Sequence, residues 1–316
     1  MRHTNLLVLG GSGFIGRYVV NLLVARGCNV LVPSRRRDRA RHLILLPTCD
    51  VVDANIMDDV ALDRLVAGRD AVINLVGILH GSQTDFQRVH VDLPRRVAAA
   101  CTKHRVDRLL HVSALGAGAS APSMYLRSKA MGQEEVEKSA AAWTVFRPSV
   151  VFGVEDHFLN LFAGLAAWFP VLPIGGATAR FQPVWVEDVA RAIANCVDND
   201  ATYRKSYELA GPRIYTLREL VEFAARAAGH PRPVIALPDG LARWQARLME
   251  LLPGPTLLSR DNLDSMKVDN VASQQPFKPG RELGIGVTPM EPEAAFYLAG
   301  MHPRTRFSPM RTRARR

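Results

Sequence analysis

Short apolar runs rich in Val, Leu and Ile alternate with longer amphipathic stretches through the first half of the chain. The pattern predicts strands at Asn5–Leu9, Asn29–Pro33, Ala71–Val76, Arg108–Ser113 and Trp143–Arg147. Between them the 3.6-residue spacing predicts helices at Phe14–Arg26, Asp58–Ala67, Pro94–His104 and Met124–Ser139. Strands that alternate with helices in this way belong to an α/β fold, a Rossmann-type doubly wound parallel sheet. After Pro148 the rhythm changes. A helix over Phe158–Phe169 stops at Pro170, Val184–Asp188 forms a short strand feeding a helix Val189–Val197, and Thr216 caps a helix Leu217–Ala228 with Glu219 completing a capping box. The expected organisation is a dinucleotide-binding domain over residues 1–150, a smaller mixed α/β substrate- or partner-side region over 151–300 interleaved with it, and a basic tail over 301–316.

Composition narrows this only a little. The chain has 316 residues, 48% of them hydrophobic and 22% charged, which suits a folded protein with a sizeable core. No apolar run approaches the ~20 residues that cross a bilayer. Only Met1-Arg2-His3-Thr4 precede the first apolar run, so neither a secretory nor a mitochondrial leader is expected, and the expected location is the cytoplasm or the inner face of the membrane. Cys28, Cys49, Cys101 and Cys196 lie far apart and read as reduced, buried thiols. The net charge of +10 is partly local, because Arg304, Arg306, Arg311, Arg313, Arg315 and Arg316 crowd the tail. Such a tail is either a disordered basic end or a tether to anionic lipid or an acidic partner. No folded nucleic-acid motif accompanies it, and His80, His90 and His111 lack metal-ligand spacing, so no specific nucleic acid and no metal are expected.

The sharpest chemical signal is Gly10-Gly11-Ser12-Gly13-Phe14-Ile15-Gly16, which directly follows a strand and opens a helix. A phosphate at a helix N-terminus needs close backbone approach, and glycines at this spacing allow it. The predicted ligand is a dinucleotide. An acid at the end of the second strand would hold the ribose hydroxyls of NAD; this chain has Ser34-Arg35-Arg36-Arg37 there, with no acid before Asp38. Guanidinium groups grip a 2′-phosphate bidentately, so NADP(H) is favoured, with Arg35 and Arg36 as clamps and NAD(H) the alternative. Asp53 and Ala54 fall after a third strand, where the adenine amino group would be met, and Val76-Gly77 closes the fourth strand beneath the adenosine half.

A catalytic set is also present. Tyr125 and Lys129 stand at i and i+4 on one helix face, and Ser113 ends the preceding strand. A lysine so placed can lower the proton affinity of the phenol and hold the ribose, while the serine polarises a substrate carbonyl. The spacing leaves open whether turnover occurs.

These residues resemble the short-chain dehydrogenase/reductase superfamily in its atypical branch, the NAD-dependent epimerase/dehydratase family. More narrowly the chain is similar, over about residues 5 to 300, to bacterial relatives of the nucleotide-binding accessory subunit of respiratory complex I. The landmarks are residues 10–16, His111–Ala117, Tyr125–Ala130, Arg147–Gly153, Gln182–Ala190 and Gly211–Leu220. The resemblance implies a dinucleotide, often NADPH, held as a structural or sensing ligand, and association with a quinone-linked membrane complex or ubiquinone biosynthesis. It also implies that Arg147, Pro148 and Ser149 lie near the nicotinamide end. Two alternatives stay open: an NADPH-dependent reductase or epimerase/dehydratase acting through Ser113, Tyr125 and Lys129 on a small carbonyl or lipid-like substrate, and an NADPH-sensing regulator. The arginine tail departs from the family pattern.

One further stretch bears on a membrane. Leu241, Trp244, Leu248, Met249, Leu251 and Leu252 share a side of a helix whose other side carries Arg243, Gln245 and Arg247. That pattern fits either packing on its own domain or a basic amphipathic helix at an interface.

Overall fold

The computed structural model describes residues 2–251 and 257–299. The tail arginines and Leu252 lie outside the described residues. The described part divides into two compact units, residues 1–148 with 186–209 and 277–286, and residues 149–185 with 210–276 and the segment from 287 onward.

In the first unit, Leu6, Leu7, Val8 and Leu9 are completely buried, which a strand achieves only inside a sheet covered on both faces. Seven strands make that sheet: β1 (Asn5–Leu9), β2 (Asn29–Ser34), β3 (Cys49–Asp53), β4 (Ala71–Asn74), β5 (Arg108–Val112), β6 (Ala142–Pro148) and β7 (Lys205–Leu209). All pairings are parallel, in the order β7-β6-β5-β4-β1-β2-β3. The order reverses between β1 and β4, and ligands of open α/β sheets bind at the strand C-termini beside such a reversal. The connecting helices are α1 (Phe14–Ala25), α2 (Asp59–Val66), α3 (Leu93–Lys103), α4 (Met124–Glu137) and α5 (Val186–Cys196). α1 packs on α5, and α3 packs between α2 and α4. Leu62, Leu65 and Val66 of α2 and Leu93, Val97 and Cys101 of α3 close one face of the sheet over Leu7, Val72 and Leu109.

Two sequence expectations change. The strand expected over Val184–Asp188 is only Val184–Trp185; Glu187 and Asp188 occupy the first turn of α5, where their charge suits the helix N-terminus. Both engage Arg191 one turn on, at 2.6 and 2.9 Å. The seventh strand, Lys205–Leu209, was not expected: its outer residues are exposed and polar, as befits an edge.

Arg108 fastens that side of the sheet. Its side chain is fully buried and makes six hydrogen bonds: Nε to the carbonyls of Cys196 and Val197, Nη1 to Ala142 O, and Nη2 to Thr144 Oγ1, Cys196 O and Thr202 Oγ1. The guanidinium also lies 4.5 Å from the centre of the Tyr203 ring.

The second unit is built from small pieces. Val151–Phe152 pairs with Val184–Trp185, Arg180–Phe181 with Tyr215–Thr216, and Leu172–Ile174 with Val234–Ala236. The helices Leu159–Trp168 and Leu217–Ala227 pack together, and Thr216 and Glu219 form the expected capping box. α6 (Asp239–Leu251) buries only its alanine face, through Ala242 and Ala246, against Leu263. Its Leu241, Trp244, Leu248 and Leu251 are all exposed, so the leucine–tryptophan side is not the packing face.

The four cysteines are buried and form no disulfide bond. Among the described residues no helix is long and apolar enough to cross a membrane, and no group of His, Cys, Asp and Glu is arranged to hold a metal ion.

Candidate functional site

The candidate residues from Gly10 to Pro148 follow, or close, the C-terminal ends of successive sheet strands, or lie on α1 and α4 beside them. Gly10 leaves β1 with φ +80°, a conformation that side chains resist, and a Cβ there would lie 3.2 Å from the Leu75 backbone. The turn therefore packs directly on the segment Leu75–Val76 that follows β4. At Gly16 a Cβ would stand 2.2 Å from the Gly10 carbonyl oxygen and 2.6 Å from the Gly11 Cα. Only glycine lets the first turn of α1 rest on the loop. Gly13 is the N-cap and offers no side chain to the helix; no acid stands in the first turn, which begins with Phe14 and Ile15. Such an end presents its amides and the positive pole of the helix to an anion. The cradle fits a pyrophosphate.

At the end of β2 the chain turns on a buried serine. Ser34 Oγ donates to Arg36 O at 2.9 Å and accepts from Arg36 N–H at 3.3 Å. This turn holds Arg35 and Arg36 outward, and no acid among the described residues pairs with either. Asp38, the first acid, faces Arg41 at 3.3 Å. Asp53 lies opposite Ser34 in register at the exposed end of β3, and the Ala54 N–H donates to Ser34 O.

Beyond β4, Val76 N–H donates to Asn74 Oδ1 at 3.1 Å, and Asn74 Nδ2 lies 3.3 Å from His111 Nδ1. Gly77 comes next, and a Cβ there would lie 3.1 Å from the ammonium nitrogen of Lys129. Thus the segment that packs on Gly10 also roofs Lys129. The buried Lys129 ammonium donates to Val112 O at 3.0 Å, and Ser113 Oγ donates to Lys129 O at 3.4 Å. Tyr125 packs with Ala114, Ala121 and Leu126. Burial pulls the Lys129 ammonium down to about 8 and pushes the Tyr125 phenol up to about 12. Burial governs both groups here, and the ammonium donates to a carbonyl. Arg147 donates from Nη2 to Ala117 O at 2.9 Å, while its buried Nε finds no protein acceptor among the described residues. Pro148 O accepts from Leu115 N–H at 2.9 Å. The orphaned donor and the glycine cradle both fit an anionic ligand that lies along the strand ends.

His90 belongs to this cluster, a placement that its spacing in the sequence does not show. It sits in a π-helical stretch, Gln87–Asp92, that leads into α3. Its Nε2 accepts the Ile78 N–H at 3.0 Å, so Nδ1 carries the proton and donates to Ser128 Oγ at 2.8 Å; that hydroxyl donates on to Tyr125 O. The ring meets Tyr125 edge-on at 5.6 Å. Burial first, then the Lys129 charge, holds the imidazole down at about 2, so it is neutral. A Cβ on Gly132 would lie 1.7 Å from the His90 carbonyl oxygen, so glycine at that position is what brings the π-helical stretch against α4. The legible signal was Gly132, three residues after Lys129 on its own helix face.

This is a Rossmann-type dinucleotide-binding α/β protein. The NAD dependent epimerase/dehydratase family matches residues 6–210, and the chain belongs to that family. Among curated proteins it is 34% identical over 293 residues to the mitochondrial NADH dehydrogenase (ubiquinone) 1 alpha subcomplex subunit 9 of Rattus norvegicus, covering 90% of this chain and 77% of that one. It is 32% identical over 239 residues to the ceramide reductase of Caulobacter vibrioides, covering 73% of each. Among solved structures, the Bordetella bronchiseptica enzyme WbmH in complex with NAD+ shares the fold with a TM-score of 0.68 at 19% identity, over 94% of this chain and 97% of that one.

Proposed function

We propose that the chain binds NADP(H) and serves at a quinone-linked membrane assembly, where the dinucleotide is a structural or sensing ligand. The observation that carries the cofactor choice is the Ser34 turn, which holds Arg35 and Arg36 outward with no competing acid among the described residues. A 2′-phosphate beside two guanidinium groups forms charge-assisted hydrogen bonds, each contributing about 1.5–3 kcal/mol. The setting is supported by similarity to the complex I subunit along nine-tenths of this chain. In the doubly substituted Arg35→Asp/Arg36→Asp protein, NADPH affinity should fall at least about a hundredfold while NADH affinity changes little, as measured by equilibrium titration. Equal losses for both nucleotides would refute the 2′-phosphate assignment.

A second reading, an NADPH-dependent reductase of a lipid-like carbonyl, is favoured by the neighbourhood of Ser113, Tyr125 and Lys129 and by the similarity to a ceramide reductase. Under that reading the dinucleotide supplies hydride and the phenol of Tyr125 supplies the proton to the nascent alkoxide. Retention of NADPH through gel filtration, without oxidation by added quinones, aldehydes or oxo-sphingolipids, supports the ligand role. Turnover that falls by about a hundredfold or more in Tyr125→Phe establishes the reductase instead.

A further inference from the structure

α6 places its large side chains on the wrong side for a helix that only packs on its own domain. Leu241, Trp244, Leu248 and Leu251 recur at i, i+3, i+7 and i+10, one continuous stripe, and all four are exposed, Trp244 by 63% and Leu251 by 76%. The face that packs inward is made of Ala242 and Ala246. Glycine at 175 fits this tight seat, since a Cβ there would lie 2.5 Å from the Ala242 Cβ. Gln245 ties the same helix to the Leu172–Ile174 strand by donating to Pro173 O at 3.4 Å. The residues leading into that strand include Trp168, exposed by 86%, and Phe169. These linked elements of the unit therefore carry two exposed tryptophans and three exposed leucines.

We propose that α6, together with the Trp168–Phe169 corner, is a lipid-docking face that seats on an anionic bilayer. The arginine beside the stripe favours lipid over a protein partner. Arg247 borders the stripe, between Trp244 and Leu251 on the helix surface, and no acid among the described residues pairs with it. Arg243, one turn earlier, is held by Asp264 and Asp239, so its charge is already answered. Tryptophan, leucine and arginine in this arrangement match the depth profile of a bilayer interface: alkyl groups inward, indole at the headgroups, guanidinium at phosphate. The inference deepens the membrane association proposed above by naming the surface that makes it.

The test is flotation of the full chain with phosphatidylcholine vesicles, with and without phosphatidylserine, beside NADPH titration of the same samples. The wild-type chain should float with the anionic vesicles, and its binding should weaken at least about tenfold in Leu241→Ser/Trp244→Ser/Leu248→Ser and measurably in Arg247→Glu. NADPH affinity and the circular dichroism spectrum should stay unchanged, because these side chains are solvent-facing. The basic tail is present in every variant, so charge attraction by the tail alone predicts undiminished flotation of the triple variant and overturns the proposal. Sedimentation of a wild-type dimer that the triple variant loses, without vesicle binding, assigns the face to a second copy and also overturns it. Flotation that depends on α6 in a chain without NADPH preference would leave the docking face standing and remove the cofactor reading; the converse result removes the docking face alone.

Discussion

Gly16→Ala should lose dinucleotide binding by at least about a hundredfold and lower stability by about 1–3 kcal/mol. The added methyl would stand 2.2 Å from the Gly10 carbonyl oxygen and 2.7 Å from the Gly11 carbonyl carbon, both backbone atoms that no rotamer change can move. Relief requires α1 to lift from the loop, and the amides that would meet the phosphates move with it. NADPH titration and urea unfolding measure the two effects separately. Gly240→Ala is the matched control, because nothing lies within 4 Å of a Cβ there, and its stability should change by no more than about 0.5 kcal/mol. Unaltered NADPH affinity in Gly16→Ala would exclude the glycine loop as the phosphate site.

Arg108→Met should destabilise the protein by about 3–5 kcal/mol, seen as a lower urea midpoint. The loss is not that of an ion pair, since no carboxylate among the described residues touches the guanidinium. It comes from the carbonyls of Ala142, Cys196 and Val197 and the hydroxyls of Thr144 and Thr202, which are left buried without that donor. Arg108→Lys should recover little, because one ammonium cannot reach five acceptors spread around a planar fork. A loss below about 1 kcal/mol in Arg108→Met would mean that water replaces the guanidinium and that the burial seen here is not maintained.

The sheet was legible because its central strands are buried on both faces and so are written as unbroken apolar runs: Leu6–Leu9 and Ala71–Ile73 have no polar alternation to confuse them. Strand β7 escaped for the opposite reason. Lys205, Ser206 and Glu208 alternate with Tyr207 and Leu209, as an edge exposed on one side requires, and a five-residue polar stretch carries little signal. Val184–Asp188 reads as a strand because Val-Trp-Val is β-branched and aromatic; the acids that follow serve a helix start, which propensity alone does not distinguish. The glycine loop was legible since steric demand restricts Gly10 and Gly16 to one residue type. His90 was not, because its role depends on a π-helical register that brings its ring against Tyr125 and its carbonyl against Gly132. The stripe on α6 was visible as a pattern, but a helical period does not say which face meets the protein; the alanines decide that.

The bonds to Arg108 also impose an order on synthesis. Four of its six hydrogen bonds end on residues 196–202, which leave the ribosome after β6 and after an excursion through the second unit. A nascent chain that has just completed β6 holds an unmatched guanidinium at the edge of a nearly finished sheet, and water must stay there until the later carbonyls arrive. At about 5–20 residues per second that interval lasts several seconds. During it the unpaired edge of β6 is open to other chains, so chaperone dependence in this protein should track the pause between residues 148 and 209 more closely than total length.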